Sequence, residues 1–379
     1  MSVRPTDSAR KMVLPTLVLT ETCDEEGAGA MSVAAATDPY FVRPVRVEVE
    51  SSRRDGKPNW APHQFNLFPL VLEGSGAPWA EAVLFILSAI ENTPNPDMRT
   101  FDAHALDLAA FRRFIEEEDI DWTRFPPSKL SRPTYRFRAH LNYALGAGEL
   151  TAQTVNRRMG TVIAFYRWLA TDALWAPENP PWHERDVYLT FKDRVGFQVS
   201  KKVTTTDLAV RVPKQDDPYD GAILDGGRLR PLPQNEQEWL VEALSAAGNT
   251  EMTLIHLMGR MTGARLQSIC TMKVRHVLAF DEEQAGAVRL PIGPGTGIDT
   301  KGDKQMTLHI AAPLYRALNI YANSERARRR RLKAGSDDPN QYLFLSKRGA
   351  PYYASKMERR TFDPENKRRY AFDGGAVGT

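Results

Sequence analysis

The sequence predicts a mainly α-helical protein with a small β-hairpin or sheet, an α+β fold, and three observations support this class. Apolar residues make up 42% of the 379 residues and aromatic residues 9%, as in globular proteins. Between residues 76 and 175, apolar residues recur at the spacing of amphipathic helices. Between residues 287 and 311, two apolar stretches flank a segment rich in Gly, Pro and Asp, which is typical of two strands and their connection.

Length and composition divide the chain into four segments, because 379 residues exceed one typical domain. Residues 1–75 hold short apolar stretches, such as VLPTLVLT, that favour strands, and we interpret them as an N-terminal extension of unknown role. Residues 76–175 are expected to form a helical domain. Residues 176–230 are rich in Pro and in charged residues, which favours a linker. Residues 231–379 are expected to form a second domain.

Four helices are predicted for the first domain, and their polar faces are basic. Their sequences are APWAEAVLFILSAIENT, FDAHALDLAAFRRFIEEEDI, SRPTYRFRAHLNYALGAG and LTAQTVNRRMGTVIAFYRWLATD. Thr151 or Thr154 is suited to cap the last helix, since a threonine hydroxyl accepts a hydrogen bond from a backbone N–H of the first turn. The basic residues on these faces are Arg136, Arg138, Arg157 and Arg158.

In the second domain, helices are predicted on both sides of the hairpin. A helix capped by Asn235 and ended by Gly248 precedes another that ends at a Thr262–Gly263 turn, and a further helix is led by Arg265. After the strands, PLYRALNIYANSERARRRRLKAG is expected to be one helix with a basic end. YLFLSKRGAPYY is expected to be a short strand and a turn.

Cysteine usage and hydropathy favour a cytoplasmic protein. Cys23 and Cys270 are the only cysteines, so the sequence supports neither a disulfide framework nor a zinc site. No apolar run approaches the length of a membrane span, and the N-terminus lacks the pattern of a signal peptide. We therefore expect a cytoplasmic protein without a membrane partner.

Positive charge is concentrated towards the C-terminus. Residues 301–379 contain 17 Lys and Arg and 8 Asp and Glu, a local charge of +9, so the remainder carries 3 − 9 = −6. A basic region favours nucleic-acid binding, and a solvated charged face is the alternative interpretation. The same two interpretations apply to the run RARRRR at residues 326–331, whose charges also suit the C-terminal end of a helix.

The stretch MTGARLQSIC, residues 261–270, places Arg265 directly after a turn and inside an apolar segment. Burial of a guanidinium is costly unless an anionic group meets it. Two partners fit this position: a carboxylate of the protein itself or a phosphate of a substrate.

Four pieces of the sequence, taken in order, resemble the tyrosine recombinase (phage integrase) family. LTAQTVNRRMGTVIAFYRWLA is similar to the last helix of its core-binding domain, and TGARLQSICTMKVRHV to the segment with its first catalytic arginine. TKGDKQMTLHIAAPLYRAL is similar to the hairpin with the catalytic lysine and the helix after it. YLFLSKRGAP is similar to the segment before the last catalytic helices. The resemblance implies a helical, SAM-like core-binding domain followed by a catalytic domain.

The resemblance also implies site-specific recombination or integration of double-stranded DNA. In this family a tyrosine attacks the scissile phosphodiester, and the phosphotyrosyl bond conserves the bond energy, so no metal or other cofactor is implied. Arg265 matches the first arginine and Lys301 the lysine that protonates the leaving oxygen, with Lys304 as the alternative lysine. Arginine forks bind two phosphate oxygens, and lysine serves as a general acid. The residues expected to contact DNA, mostly at phosphates, are Arg136, Arg138, Arg157, Arg158 and Lys304.

Two features depart from the family pattern. The family often has an acidic residue three places after the first arginine, where this chain has Ser268, with Gln267 as a partial substitute. The family's HxxR motif should follow the LFLS segment, but the last histidine is His309, and Tyr370 lies in a tail rich in Gly, Asp and Arg. We therefore expect a catalytic domain that stops before the HxxR and tyrosine motifs, and a chain that is inactive alone.

Three functions are left open by the sequence. The chain is a recombinase or integrase of a mobile element, a DNA-binding remnant or regulator without a nucleophile, or an unrelated helical interaction protein. Family members assemble as tetramers on DNA, commonly by exchange of a C-terminal segment, so self-association on DNA is also open here. DNA binding and a covalent protein–DNA adduct would distinguish the three functions.

Overall fold

The computed structural model describes residues 8–22, 42–49, 59–94, 96–192, 196–210, 223–224, 228–229, 232–278 and 286–360. The chain divides into two compact units, residues 1–215 and 216–379. Within the described residues, helices combine with two-stranded antiparallel sheets, which confirms the α+β class. No helix in these ranges has the length and apolar character that a membrane crossing requires.

In the described residues up to Leu72, the first unit contains six strands. They are β1 (Arg10–Val18), β2 (Thr20–Thr22), β3 (Val42–Pro44), β4 (Arg46–Val49), β5 (Asn59–Pro62) and β6 (Gln64–Leu72). β1 pairs with β6, β2 with β3 and β4 with β5. The three strand pairs meet at Leu19, Val45 and His63. The Leu19 N–H donates to the His63 carbonyl, the His63 N–H to the Val45 carbonyl, and the Val45 N–H to the Leu19 carbonyl. The strands predicted for VLPTLVLT are therefore present, as part of a larger β layer.

Four helices follow, in the places that the apolar spacing predicts. They are α1 (Ala80–Glu91), α2 (Met98–Glu117), α3 (Pro133–Gly146) and α4 (Ala152–Thr171). The Thr151 hydroxyl accepts from the backbone N–H of Thr154 and caps α4, so the first of the two predicted caps is the one used. Phe68 and Val71 of β6 share one apolar core with helix residues such as Phe111 and Phe165. The segment expected as an N-terminal extension thus helps to cover the helices, because an apolar sheet face must pack on another layer.

The segment expected as a linker contains a long hairpin, β7 (Glu184–Lys192) and β8 (Gln198–Thr206). The two strands pair from Glu184 opposite Thr206 to Lys192 opposite Gln198. Trp182 and Leu208, which flank the hairpin, are buried in the core of the first unit. The strands β7 and β8 are therefore part of that unit.

In its described residues, the second unit combines helices with two antiparallel strand pairs. Its helices are α5 (Gln234–Ala247), α6 (Thr250–Thr262), α7 (Leu266–Cys270), α8 (Arg275–Leu278), α9 (Ala312–Ala322), α10 (Glu325–Lys333) and α11 (Lys356–Arg360). Its strands are β9 (Ile223–Leu224), β10 (Arg228–Leu229), β11 (Ala287–Ile292) and β12 (Met306–Ala311). The β11–β12 pair confirms the predicted hairpin. Met258, Ile269, Ile310 and Phe344 lie in the core between these elements.

Two helix boundaries differ from the sequence prediction. Asn235 lies inside α5, which begins after Pro233, so the predicted cap was wrong. The single helix expected after β12 is broken into α9 and α10 at Ser324, whose hydroxyl accepts from the backbone N–H of Ala327. Serine at this position competes for the backbone and starts a new helix. Gly248 and Gly263 end α5 and α6 in the left-handed region, as the predicted glycine stops require.

The stretch YLFLSKRGAPYY is a buried turn rather than a strand. Tyr342, Leu343, Phe344 and Leu345 are all almost fully buried. Its β contacts are single bridges, Lys273 with Tyr342 and Leu345 with Pro351. The predicted turn is therefore confirmed and the predicted strand is wrong.

Candidate functional site

Arg265 lies at the surface of the second unit, immediately before α7. Gly263 ends α6 with a φ of 68°, and Arg265 adopts extended backbone angles as the residue that precedes α7. The Arg265 carbonyl accepts from the backbone N–H of Ile269 at 3.1 Å, which closes the first turn. The expectation of a buried guanidinium is therefore wrong, because Arg265 is exposed while Ile269 and Cys270 point into the core. Burial raises the pKa of the Cys270 thiol to about 12, so this cysteine is inert.

Lys301 and Lys304 lie in the connection between β11 and β12, and both are exposed. A short 3₁₀ turn runs from Lys301 to Asp303, with Gly302 at a φ of 70°. Gly293 approaches the Lys304 carbonyl so closely that a Cβ atom there would lie 2.6 Å from the oxygen. A side chain at residue 293 would therefore displace the backbone that carries Lys304.

Hydrogen bonds join the segment of Arg265 to the connection that carries Lys301. The Ser268 hydroxyl donates to the Asp299 carbonyl at 2.8 Å, and the Asp299 N–H donates to the Thr271 hydroxyl at 2.9 Å. Ser268 and Thr271 are buried, so these bonds are shielded from water. Ser268 stands where the tyrosine recombinase family often has an acidic residue. Here it fixes the β11–β12 connection at Asp299, two residues before Lys301.

Two further contacts hold the same connection. The backbone N–H of Lys356, at the start of α11, donates to the Asp299 carboxylate at 2.7 Å, and the Lys356 ammonium pairs with Asp303 at 2.7 Å. At the other end, the Arg275 guanidinium donates to the Thr296 carbonyl at 3.0 Å. The Lys301 turn is therefore fixed on both sides, by α8 and by α11.

Part of the basic run of α10 is internal. Arg326 donates to both oxygens of Glu251, and Arg330 lies 3.1 Å from the same carboxylate. Arg330 and Arg331 are buried, and Arg331 pairs with Asp337 at 2.6 Å. Neither interpretation of the run, a solvated helix end or a DNA contact, describes Arg330 and Arg331, because both are buried against carboxylates of the protein. The other three arginines of the run, Arg326, Arg328 and Arg329, are exposed.

Two of the arginines predicted to contact DNA meet another buried carboxylate in the first unit. Arg157 donates to Asp107 at 2.7 Å, and Arg158 lies 3.9 Å from the second oxygen of the same carboxylate. Asp107 is fully buried, and the Thr161 hydroxyl also donates to it at 3.0 Å. Burial raises the pKa of Asp107, although the charges of Arg157 and Arg158 and the bond from Thr161 oppose this shift.

The other two predicted contacts lie on α3. Arg136 pairs with Glu118 at 2.7 Å, and both side chains are well exposed. Arg138 is half-buried, and its Nε has no hydrogen-bond partner. Arg132, which precedes α3, donates instead to the carbonyls of Pro126 and Pro180 and is a structural residue.

The tyrosines of the second unit are poorly placed for nucleophilic attack. Among its described residues, Tyr315, Tyr321, Tyr342 and Tyr352 are buried and Tyr353 is half-buried. The Tyr342 hydroxyl donates to Glu358 at 2.7 Å and accepts from the Ser355 N–H at 2.8 Å. Burial raises the pKa of Tyr342 well above the usual range, which disfavours the phenolate. Tyr370 lies outside the described residues.

Sequence reasoning missed the residues that position Lys301. Asp299, Thr271 and Lys356 stand far apart in the sequence and carry no motif. The hairpin of β7 and β8 was missed for a different reason. Its strands alternate polar and apolar residues, a period of two that indicates strands, but the surrounding Pro and charged residues favoured a linker.

Comparisons with known proteins give one structural similarity. No family model and no curated relative matches the chain. The crystal structure of XerA recombinase matches at 17% identity over 77% of each chain, with a TM-score of 0.23. At that TM-score the two structures do not superpose as a whole, so this similarity does not establish a function.

Proposed function

We propose that this chain binds duplex DNA and places Arg265 and Lys301 at a phosphodiester, as in the tyrosine recombinase family. The observation that carries this proposal is the link between two exposed cations of complementary chemistry. Arg265 and Lys301 come from separate segments, and buried hydrogen bonds through Ser268 and Asp299 join these segments.

The chemistry of the two side chains fits a phosphate that changes its charge during reaction. A guanidinium donates two parallel hydrogen bonds to phosphate oxygens and keeps its charge at any physiological pH. An ammonium group on a turn is suited to donate a proton to a leaving oxygen. Both groups act best when the protein holds them in place beforehand, which is the role we assign to Asp299 and its partners.

A second candidate function is DNA binding without strand cleavage. The buried environment of Tyr342, with its raised pKa and two hydrogen-bond partners, favours this alternative. In that case Arg265 and Lys301 would hold a phosphate without a nucleophile in the same chain. The two functions differ in a single observable, a covalent protein–DNA adduct.

Duplex binding tests what the two functions share. We would measure fluorescence anisotropy of a labelled duplex of about 30 base pairs across about 50 to 200 mM salt. Arg265→Ala and Lys301→Ala should each weaken binding and lower the slope of log K against log salt by about one unit. Arg348→Ala and Lys347→Ala, at exposed positions of the same unit, are the matched controls.

Equal losses of duplex affinity in the two site variants and in the two control variants would contradict the proposal. Such a result would show that any surface cation of the second unit contributes equally. Lack of duplex binding even at the lowest salt would favour the third function, an interaction protein unrelated to DNA.

Arg136 provides the cleanest test of the first unit. Its partner Glu118 is exposed, so Arg136→Ala leaves no buried charge behind. Glu118→Ala breaks the same ion pair but retains the arginine, and it should not weaken duplex binding. Weaker binding in Arg136→Ala alone would support a phosphate contact, whereas equal effects of the two variants would exclude it.

A nicked suicide duplex separates the two functions. A nucleophilic tyrosine would stay attached to the DNA after the fragment beyond the cleavage site diffuses away, and a denaturing gel would show the adduct. Because the described tyrosines of the second unit are buried or half-buried, we expect no adduct from this chain, and that result would favour DNA binding without cleavage. An adduct that disappears in Tyr370→Phe would contradict that expectation and would identify the nucleophile.

A further inference from the structure

The β7–β8 hairpin carries an exposed surface that the proposed phosphate site does not use. Its strands span Glu184–Lys192 and Gln198–Thr206, and most of their described side chains are exposed. Within the described part of the first unit, four aromatic residues are notably exposed: Tyr143, Tyr188, Phe191 and Phe197. Three of these four belong to the hairpin or its tip, which singles it out as an interaction surface.

The base of the hairpin is anchored to the helices of the first unit. Glu184 pairs with Arg167 of α4 at 2.6 Å, and the Arg167 guanidinium lies 5.6 Å from the ring centroid of the buried Trp182. Directly after β8, Asp207 accepts from the Tyr135 hydroxyl at 2.8 Å and from the His183 N–H at 3.1 Å. The contacts at its base therefore fix the position of the exposed strands of the hairpin, as a binding surface requires.

The two faces of the hairpin differ in charge. Strand alternation puts Arg185, Val187, Phe191, Val199, Lys201 and Val203 on one face, which we call the Phe191 face. The only acidic residues of the two strands, Glu184 and Asp186, fall on the opposite face. Asp186 is paired there with Lys202 at 2.8 Å. The Phe191 face thus combines apolar side chains with cations and contains no carboxylate.

We infer that the Phe191 face binds unpaired nucleotides of a nucleic-acid strand. The Phe191 ring, half exposed and opposite Val199, offers a flat apolar surface on which a base stacks. Lys201 is a diagonal neighbour of Phe191 across the ladder, with Cβ atoms about 7–8 Å apart, so its ammonium reaches the phosphate of a stacked nucleotide. Stacking with adjacent cations is how proteins bind single strands without reading their sequence.

Other occupants fit this face less well. An isologous contact with a second copy would bring Arg185 and Lys201 towards the same residues of its partner, and like charges in a contact are unfavourable. A duplex offers its bases only at the groove edges, where an exposed phenyl ring has little to stack on. The inference rests on the proposed function and extends it, by adding unpaired nucleotides to the DNA that the chain binds.

The test uses the whole chain and a labelled thymidine oligonucleotide of about 20 nucleotides, which forms no duplex. Phe191→Ala should raise its Kd about tenfold, and Phe191→Trp should restore binding because the larger ring still stacks. Lys201→Glu should also weaken binding. Tyr188→Ala, which removes an exposed ring from the opposite face, is the matched control and should leave the Kd unchanged. Thermal melting of each variant confirms that the fold is intact.

Three results would overturn the inference: no binding of the oligonucleotide, equal binding by Phe191→Ala, or an equal loss in Tyr188→Ala. A fourth is a drop in sedimentation coefficient in Phe191→Ala, which would show that a second copy covers this face. Failure of the proposed function has a separate signature. Arg265→Ala and Lys301→Ala would then leave duplex binding unchanged, while the oligonucleotide would still respond to Phe191→Ala.

Discussion

Among the described residues, each unit of the protein contains one fully buried carboxylate that pairs with arginines, but the two carboxylates differ in the hydrogen bonds that they accept. In the second unit, both oxygens of Glu251 accept hydrogen bonds from Arg326, and the Tyr321 hydroxyl donates to one of them at 3.0 Å. In the first unit, Asp107 accepts through one oxygen, and its other oxygen has no hydrogen bond. Both carboxylates are fully buried.

The pKa values of the two carboxylates shift in opposite directions. Burial acts on both groups to raise the pKa, and it is the largest influence in each case. For Glu251 the hydrogen bonds from Arg326 and Tyr321 and the charge of Arg330 outweigh burial, so its pKa is lowered. For Asp107 the opposing contacts are too few, so its pKa is raised. A nearby arginine is therefore not enough to stabilise a buried carboxylate, because the number of hydrogen bonds to the charged form decides the outcome.

The largest expected effect is the loss of the Glu251 charge. Glu251→Gln leaves the buried Arg330 without its anion, so we expect the free energy of unfolding to fall by about 3–5 kcal/mol at neutral pH. Hydrogen exchange of peptides from α6, α9 and α10 would locate the loss in the second unit. Glu325→Gln is the control, since its ion pair with Arg329 is exposed and should contribute about 0–1 kcal/mol. Equal losses in the two variants would contradict the network described here.

The effect of Glu251→Gln should depend on pH. Because the folded-state pKa of Glu251 is lowered, its stabilising contribution is present above the pKa of the unfolded chain and is lost as pH falls through the folded value. The difference in Tm between the wild type and Glu251→Gln should therefore shrink as pH falls below about 4.5, near the usual carboxyl pKa. A constant difference from neutral to acid pH would show that Glu251 acts through packing alone.

An intermediate effect is expected for Arg157→Ala/Arg158→Ala. This change leaves Asp107 with the Thr161 hydroxyl alone, and we expect a loss of about 1–3 kcal/mol in the first unit. Addition of Asp107→Asn should recover part of the loss, because it removes the unpaired charge. Tryptophan fluorescence in denaturant measures the stability of the triple variant. If its fold is recovered, the triple variant is the protein to use in a DNA-binding assay. Weak binding by the double variant alone would not separate a DNA contact from a damaged fold.

The sequence predicts the helices and the β11–β12 hairpin because their signals are local. Apolar spacing identifies α1 to α4, and Gly248 and Gly263 end their helices as expected. Arg265 and Lys301 were found through short motifs, and their role is still a prediction. The β7–β8 hairpin had a local signal too, but neighbouring prolines and charges outweighed it.

The contacts that hold the site are not visible in the sequence, because they join distant residues. Asp299 meets Ser268 and Lys356, which lie 31 and 57 residues away. The arginines of the run at 326–331 look equivalent, yet Arg330 is buried and Arg329 is exposed. The difference comes from distant partners, since Arg330 meets Glu251 of another helix and donates to the Leu345 carbonyl. Periodicity predicts which face of a helix is buried, but not which buried carboxylate will lie beneath it.

The smallest expected effect, Asp107→Asn, gives the sharpest test of the comparison between the two networks. Because the pKa of Asp107 is raised, its ionisation is less favourable in the folded state than in the unfolded chain. The charge therefore adds no stability at neutral pH. We expect Asp107→Asn to change the free energy of unfolding by less than about 1 kcal/mol, against the large loss in Glu251→Gln. The pH dependence should also have the opposite sign: as pH falls through the raised pKa towards that of the unfolded chain, the wild type should gain stability relative to Asp107→Asn. Urea denaturation at neutral and acid pH would measure both quantities. A loss at Asp107 as large as that at Glu251 would mean that Arg157 and Arg158 stabilise the charge as fully as Arg326 and Arg330 do, and the contrast between the two units would disappear.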